Sequence, residues 1–386
     1  MTRVLGVDVP ILTLGQVAGR VDEILKAVRA STGKPMLGTR SRYAGRSHTR
    51  GGAVTLPKAT TALTAWFDEQ GIPLDREPEL TLIAGGRSNL TYRVNDTYVL
   101  RRPPMSNVLQ SAHDVGREHR IISALEPTAV PVPHSYGLCD DPAVLGAPFY
   151  VMNLVPGTVV AGTDDGARYP EASRADACRD LVRVQAAIHA VDVDAVGLGE
   201  LGRKADYSAR QLRRWQRQFH ASLSRDLPLV DEVHDRLVAT IPPQRYTGLV
   251  HGDYRPGNVL LGDDGRVTAV LDWELATLGD TMADLGWMTA FWLEPGESEL
   301  LESPTSNPGY WSRDEVIAEY QRSTGRDVSD IGWYQAFAMW RLACIGEGIY
   351  ARYSSGAMGE GDVDLRAQAQ LVERLADAAS AALDRL

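Results

Sequence analysis

The sequence predicts an α+β fold in which short strands precede residue 154 and helices predominate after it. Three observations support this prediction. Apolar runs within Leu80–Val94, Thr97–Arg102 and Gly146–Gly157 have the length and residue types of strands and are bounded by turn signals. From residue 154 to the C-terminus, apolar residues recur mainly at helical spacing. One strand–turn–strand unit, Val259–Asp272, interrupts those helices.

The composition is that of an ordinary soluble globular protein. Apolar residues make up 44% and charged residues 23% of the 386 residues, and no apolar run is long enough to span a bilayer. The N-terminus lacks a signal-peptide pattern. Cys139, Cys178 and Cys344 are scattered without metal-ligand spacing, so we expect buried thiols, a cytoplasmic protein and no membrane partner.

The net charge of −10 is unevenly distributed. Residues 1–60 contain ten Lys/Arg and three Asp/Glu, a net charge of +7, so the remainder carries −17. An acidic body argues against nucleic acid as a partner. Within the basic arm, Thr13–Ala30 has helical apolar spacing and residues 34–52 form a Gly/Ser-rich linker. We therefore treat residues 1–54 as an N-terminal extension.

The first candidate ligand-binding element is a glycine turn. A helix is predicted for Pro57–Gln70, and it is followed by a strand, a turn at Gly85 and Gly86, and a second strand. Glycine lets the backbone approach a phosphate with its N–H groups pointing at the oxygens, although most such turns only reverse the chain.

The following strand and helix carry two charged residues of interest. In the strand, alternation places Val99 and Arg101 on one face and leaves Arg102 on the other, where we expect it to be solvated. Glu118 lies within a helix predicted for Ala112–Leu125, a position at which a Glu ordinarily faces solvent.

The stretch Leu249–Glu274, LVHGDYRPGNVLLGDDGRVTAVLDWE, carries the clearest chemical signal. Two β-rich runs around a Gly-Asp-Asp-Gly turn predict a hairpin, which brings Asn258 and Asp272 to one end with Asp253 on the loop beside them. Their oxygen atoms suit Mg²⁺, and a carboxylate nearby can orient or deprotonate a hydroxyl. This arrangement is typical of phosphoryl-transfer sites. The alternative is a surface hairpin with polar turn residues, which the HGDxxxxN spacing disfavours.

The motifs HGDYRPGN and LDWE resemble the catalytic loop and the metal-binding segment of the aminoglycoside phosphotransferase and choline kinase family. That family has a two-lobed protein-kinase-like fold. The resemblance implies a small β-rich N-lobe at residues 55–153, which binds nucleotide, and a larger, mostly helical C-lobe at residues 154–386, which holds the catalytic loop and binds the acceptor. It does not extend to residues 1–54.

The resemblance also implies ATP as the donor, Mg²⁺ as the metal ion and a role for each motif residue. Asp253 would act on the acceptor hydroxyl, and Asn258 and Asp272 would bind the metal ion. Arg101 would contact phosphate and pair with Glu118, at a position where the usual residue is Lys. The implied nucleotide contacts are Gly85, Gly86, Ser88, Asn89, Val99, Met152, Asn153 and Leu154.

Two further residues have expected structural roles. Asp284 resembles the Asp that braces the family's catalytic loop through backbone hydrogen bonds, although a simple helix N-terminal Asp is an equal alternative. His189 lies on the apolar side of a helix predicted for Ala175–Val191, and we expect a hydrogen-bonded core histidine without a chemical role.

The acceptor is expected to be a small molecule with a hydroxyl group. The runs SNLTYRV, AHDVGREHRIISAL, HGDYRPGNVLL and LDWELATLGD resemble a subgroup that is also found fused to acyl-CoA dehydrogenases, which implies a hydroxyacyl-CoA or hydroxy acid. An aminoglycoside or macrolide antibiotic kinase is the first alternative, and a nucleotide-binding pseudokinase acting as a regulator is the second. The sequence carries no signal for an oligomeric state.

Overall fold

The computed structural model describes residues 2–4, 7–9, 59–85, 89–103, 108–295, 297, 301–356 and 364–386. The predicted helix Thr13–Ala30, the linker at residues 34–52, and Gly86 and Ser88 lie outside these residues. Near the N-terminus, Thr2–Val4 (β1) pairs with Val7–Val9 (β2) in an antiparallel hairpin. The chain divides into two compact units, residues 1–119 with 135–154 and residues 120–134 with 155–386.

The first unit contains a five-stranded antiparallel sheet in the order β3-β4-β5-β7-β6. Its strands are β3 (Leu80–Gly85), β4 (Leu90–Val94), β5 (Tyr98–Arg102), β6 (Ser135–Cys139) and β7 (Phe149–Asn153). Its helices are α1 (Ala59–Glu69), α2 (Val108–Leu125), which extends into the second unit, and α3 (Pro142–Leu145).

The core of this unit forms where α1 covers one face of the sheet. Leu63, Trp66 and Phe67 are spaced three and four residues apart on α1, so they lie on one side of the helix, and all three are buried. The Trp66 ring meets Phe149 of β7 edge to face, with ring centroids 4.9 Å apart. Contacts of this kind fix how α1 packs against the sheet.

The expectation that Arg102 is solvated is wrong. The residue is only 8% exposed, and its Nη1 donates to the carbonyl oxygen of Leu145 at 2.8 Å. Its guanidinium also lies 5.9 Å from the centre of the Tyr92 ring. Both faces of β5 are covered, because the adjacent residues Val99 and Leu100 are both buried, so alternation leaves no solvent side.

The second unit is mostly helical. Its helices are α4 (Thr163–Arg168), α5 (Glu171–Ala190), α6 (Tyr207–Ser222), α7 (Pro228–Ala239), α8 (Met282–Ala290), α9 (Arg313–Thr324), α10 (Ile331–Ser354) and α11 (Leu365–Leu383). Its strands form two antiparallel pairs, β8 (Thr247–Val250) with β11 (Thr277–Asp280) and β9 (Val259–Leu261) with β10 (Val267–Val270).

Helix α10 supplies much of the core of this unit. Trp333, Phe337 and Trp340 recur at helical spacing, and all three are buried. The rings of Trp333 and Phe337 stack with centroids 5.5 Å apart. These aromatic side chains therefore form part of the core. The predicted α+β class is confirmed, and no helix of the described residues is long and apolar enough to cross a membrane.

Candidate active site

The β9–β10 hairpin has the predicted form. Val259 pairs with Val270, and just beyond this pair the N–H of Leu271 donates to the carbonyl oxygen of Asn258 at 2.9 Å. The turn closes with Gly265 in the left-handed region at φ +84°, a conformation that glycine adopts without strain. Asn258 and Asp272 therefore flank the same end of the hairpin.

The Asp253 carboxylate is held in one orientation. Its Oδ1 accepts a hydrogen bond from Nε1 of Trp287 at 2.7 Å, and its Oδ2 accepts one from Nδ2 of Asn258 at 2.7 Å. Nε of Arg255 lies 3.4 Å from Oδ1. The residue is only 5% exposed, so these partners restrict both carboxylate oxygens. Each oxygen has a second lone pair that can accept a further hydrogen bond.

Asn258 and Asp272 provide a donor set that fits Mg²⁺. The Asn258 Nδ2 donates to both the Oδ2 and the backbone oxygen of Asp253, which assigns the amide nitrogen and directs Oδ1 elsewhere. Asp272 adopts φ 63° and ψ 61°, which is uncommon for a residue with a side chain. Among the described residues no group of three or more His, Cys, Asp or Glu side chains could hold a metal ion. An amide oxygen and a carboxylate suit Mg²⁺, which retains water and phosphate ligands.

The catalytic loop is braced by Asp284, as expected. Its Oδ2 accepts from the N–H of His251 at 2.6 Å, and its Oδ1 accepts from the N–H of Gly252 at 2.8 Å. Gly252 has φ +85°, and a Cβ there would lie 3.0 Å from the carbonyl oxygen of Leu275, so only glycine fits without strain. Asp284 lies in the first turn of α8 as well, so both expectations for it hold.

His189 is a core histidine, as expected. Its Nδ1 lies 2.7 Å from the hydroxyl of Tyr320, and its Nε2 lies 3.4 Å from Oδ2 of Asp284. Burial lowers the pKa of His189, which favours a neutral ring that donates from Nε2. Burial by itself raises the pKa of Asp284, but the hydrogen bonds from His189 and the loop backbone outweigh it and hold that pKa below its usual value.

Three residues near Asp253 were missing from the sequence prediction. Arg255 lies within the quoted HGDYRPGN motif and could have been identified there. Trp287 lies 34 residues beyond Asp253, and Arg341, whose Nη2 donates to the Gly252 carbonyl oxygen at 3.1 Å, lies 89 residues beyond that glycine. No local pattern distinguishes either of these two from an ordinary residue of a helix.

In the first unit, the predicted ion pair between Arg101 and Glu118 is confirmed. Nη1 of Arg101 lies 3.1 Å from Oε1 of Glu118, and the two side chains are 13% and 0% exposed. Val99 is buried two residues before Arg101 on the same face of β5. The pair therefore joins β5 to α2.

The predicted nucleotide contacts also lie in this unit. Gly85 ends β3, and Asn89 is 6% exposed with no hydrogen-bond partner for either side-chain polar atom among the described residues. Such buried polar atoms are rarely left unsatisfied and fit a ligand at this end of the β3–β4 hairpin. Met152 pairs with Val99, and the N–H of Leu154 donates to the carbonyl oxygen of Thr97 at 2.8 Å. The Leu154 N–H is therefore occupied by a backbone hydrogen bond.

Comparison with known proteins identifies the class of this protein. The model of the phosphotransferase enzyme family (APH) matches residues 79–316. A crystal structure from Ralstonia eutropha, assigned as an aminoglycoside phosphotransferase, is 31% identical with a TM-score of 0.73 and covers 84% of this chain and 98% of its own. The GDP complex of aminoglycoside 2′-phosphotransferase-IIIa is 16% identical with a TM-score of 0.58, covers 83% of this chain and 99% of its own, and shares the fold.

Fold and family together define a small-molecule kinase, a phosphotransferase with an alcohol group as acceptor, and confirm the predicted kinase-like fold. The chain belongs to the APH phosphotransferase enzyme family. Acyl-CoA dehydrogenase family member 10 of Mus musculus is 34% identical over 288 residues, which are 72% of this chain and 27% of the mouse protein. The chain spans between 27% and 39% of the length of the acyl-CoA dehydrogenase relatives that it matches.

Proposed function

We propose that this kinase transfers the γ-phosphate of ATP to the hydroxyl group of a hydroxyacyl-CoA or hydroxy acid. The observation that carries the proposal is the Asp253 carboxylate, which is held by Trp287 and Asn258 beside the end of the hairpin that presents Asp272. A buried, oriented carboxylate next to a pair of hard oxygen ligands is the arrangement that phosphoryl transfer requires.

In the proposed reaction, Asp253 orients the acceptor hydroxyl and accepts its proton as the hydroxyl oxygen attacks the γ-phosphorus of ATP. The bond from that phosphorus to the β,γ-bridging oxygen breaks, and ADP leaves. The free lone pairs of the Asp253 carboxylate oxygens receive the hydrogen bond from the hydroxyl. Asn258 and Asp272 would hold Mg²⁺, which neutralises charge on the phosphates. Because the transition state is loose, most of the rate enhancement comes from positioning and charge neutralisation.

The first unit would bind the nucleotide. Arg101, oriented by Glu118, would contact the phosphates through its planar guanidinium group, in the role that Lys usually has. The glycine turn, Ser88 and Asn89 would lie against the same phosphates. The base would contact Val99 and the backbone of residues 152–154. We propose residues 55–153 as this nucleotide-binding domain, residues 154–386 as the acceptor-binding domain and residues 1–54 as an extension.

The proposed acceptor rests on the surroundings of Asp253 and on the relatives. Arg255 and Arg341 place two guanidinium groups beside the catalytic loop, and Arg341 lies 4.1 Å from the centre of the Trp287 ring. A polycationic aminoglycoside would be repelled by this positive charge, whereas a carboxylate would be attracted and the carbonyl oxygen of a thioester could accept a hydrogen bond. Relatives named acyl-CoA dehydrogenases point to the same substrate class. We propose a cytoplasmic location on the basis of the free, buried cysteines.

A panel assay of ADP release tests this proposal. The acceptors are hydroxyacyl-CoA thioesters, the corresponding free hydroxy acids, kanamycin and erythromycin, each with ATP and Mg²⁺. We expect turnover with a hydroxyacyl substrate and only background ADP release with the Asp253→Asn variant, whose side chain has nearly the same shape but cannot accept a proton. Turnover of an antibiotic that depends on Asp253, without turnover of any hydroxyacyl substrate, would assign the protein to the drug-modifying kinases.

A further inference from the structure

Helix α6 carries an unusual concentration of positive charge. Its sequence, YSARQLRRWQRQFHAS, contains no Asp or Glu. Each of its four arginines is three or four residues from two of the others, which places all four on one side of the helix. This arginine stripe consists of Arg210, Arg213, Arg214 and Arg217. Residues 61–386, which include this helix, carry a net charge of −17.

Among the described residues no carboxylate forms an ion pair with the stripe, although Asp206 attracts Arg210 electrostatically. Nη2 of Arg210 donates to the backbone oxygen of Arg203 at 2.6 Å, and its Nη1 is buried without a hydrogen-bond partner. Arg213 and Arg217 are exposed and form no ion pair within the described part of the chain. By contrast, the nearby Lys204 pairs with a carboxylate at 2.8 Å. Like charges at this helical spacing destabilise a helix, and an anionic ligand would offset that repulsion.

Helix α6 is connected to the catalytic loop by contacts between side chains. Arg214 precedes Trp215, and its guanidinium lies 5.6 Å from the Trp215 ring. On its other side Trp215 contacts Arg341, whose guanidinium lies 5.3 Å from the Trp215 ring and 4.1 Å from the Trp287 ring. Trp287 in turn donates to Asp253. A ligand lying along these side chains would extend from the stripe to Asp253, the proposed proton acceptor.

Two polar groups along this path are buried without a partner. Nε1 of Trp215 and Nε of Arg341 have no hydrogen-bond acceptor in the part of the chain that the structure describes. Arg341 is only 8% exposed, and burial lowers its pKa. Buried N–H groups are seldom left unsatisfied in proteins, so both are suited to donate to oxygen atoms of a ligand.

We propose that the arginine stripe binds the phosphate groups of a CoA-linked acceptor, while Trp215 and Arg341 contact the part of the acceptor that leads to the hydroxyl at Asp253. This inference deepens the proposed function and rests on its hydroxyacyl acceptor. A CoA thioester carries a pyrophosphate and a 3′-phosphate at one end of a long flexible arm and the acyl chain at the other. The guanidinium group of arginine is positively charged and can donate two parallel hydrogen bonds to the oxygen atoms of a phosphate.

The test reverses charge at the two exposed arginines that make no contact with Trp215 or Arg203. The variant Arg213→Glu/Arg217→Glu is compared with Arg322→Glu/Arg366→Glu, which makes the same charge change at exposed positions of two other helices. We expect the stripe variant to raise KM for a hydroxyacyl-CoA about tenfold or more, because each exposed charge pair contributes modestly and reversal adds repulsion. KM for ATP and kcat should stay as in the wild type, and the melting temperature should not fall, because the substitutions relieve repulsion within the helix.

A truncated acceptor supplies the specific control. The N-acetylcysteamine thioester of the same hydroxyacyl chain lacks all phosphates, so its KM should not differ between the stripe variant and the wild type. The KM for the CoA thioester should also rise with salt in the wild type and much less in the stripe variant. An equal KM for the CoA thioester in both proteins overturns the inference and leaves the proposed function intact.

Calorimetric titration with CoA itself separates the two proposals. The nucleotide site is first saturated with Mg²⁺ and a non-hydrolysable ATP analogue. CoA binding that is lost in the stripe variant supports the inference even when no hydroxyacyl substrate is turned over, in which case only the proposed acceptor fails. Absence of CoA binding to the wild type overturns the inference. Stripe-dependent binding of an oligonucleotide without binding of CoA would overturn it in favour of nucleic acid.

Discussion

The ion pair between Arg101 and Glu118 provides a quantitative test of how the first unit is stabilised. At the observed separation of 3.1 Å, Coulomb attraction amounts to about 5 kcal/mol with an effective dielectric constant of about 20. The cost of desolvating the buried carboxylate offsets much of this attraction. The net contribution of the pair to the free energy of unfolding is therefore small. Removal of one partner alone is expected to lower that free energy by about 3–5 kcal/mol.

The two single substitutions should differ. Arg101→Met deprives a carboxylate that is 0% exposed of its neighbouring cation, so we expect the full loss of about 3–5 kcal/mol in the free energy of unfolding. Glu118→Gln leaves an arginine that is 13% exposed and can regain water, so we expect a loss of about 1–3 kcal/mol. The double variant should lose about 1–3 kcal/mol less than the sum, because the two residues interact directly.

Urea unfolding of the wild type and the three variants at pH 5 and pH 8 measures these effects. In Arg101→Met the buried Glu118 is expected to have a pKa raised above its unfolded value. A raised pKa stabilises the folded state at low pH and loses that effect as pH rises, so the deficit of this variant should be smaller at pH 5. Equal losses in the two single variants, strict additivity and no pH effect would together refute the reasoning.

Two further predictions concern the second unit. Trp287→Phe removes the hydrogen-bond donor to Oδ1 of Asp253. We expect kcat to fall about 10- to 100-fold, which corresponds to the loss of a hydrogen bond to a charged group. The KM for ATP, measured in the same assay, should be unchanged. Burial lowers the pKa of His189, so the unfolded chain binds a proton that the folded protein excludes. Stability should therefore decline as the pH falls below about 6.5, and this decline, followed by melting temperature, should be weaker in His189→Gln.

The part of the site that was predictable from the sequence depends on local patterns. The β9–β10 hairpin follows from two β-rich runs around a Gly-Asp-Asp-Gly turn, and turn geometry then brings Asn258 and Asp272 to one end. The residues Trp287 and Arg341 reach the loop only because α8 and α10 pack against it. A tryptophan or arginine on a helix has the same local sequence context whether it contacts a catalytic loop or the core.

The wrong expectation for Arg102 has a related cause. Period-two alternation identifies a solvent face only when one side of a strand is exposed. In β5 both Val99 and Leu100 are buried, so the pattern contains no information about which charged residue reaches water. The long arginine side chain then satisfies its guanidinium within the fold, through the carbonyl oxygen of Leu145. The burial of Arg102 therefore depends on the elements that pack against β5 and not on the sequence of the strand itself.

The catalytic loop is organised by contacts that do not require a bound nucleotide or acceptor. Asp284 accepts from the N–H groups of His251 and Gly252, Arg341 donates to the Gly252 carbonyl oxygen, and Nδ1 of His251 accepts from the N–H of Asp253. Because these backbone groups are satisfied within the second unit, the Asp253 carboxylate is oriented before substrate binds, which is the condition for electrostatic preorganisation. Substitutions of Asp284 should therefore reduce both stability and kcat, because they remove the hydrogen bonds that hold the backbone of the loop carrying Asp253.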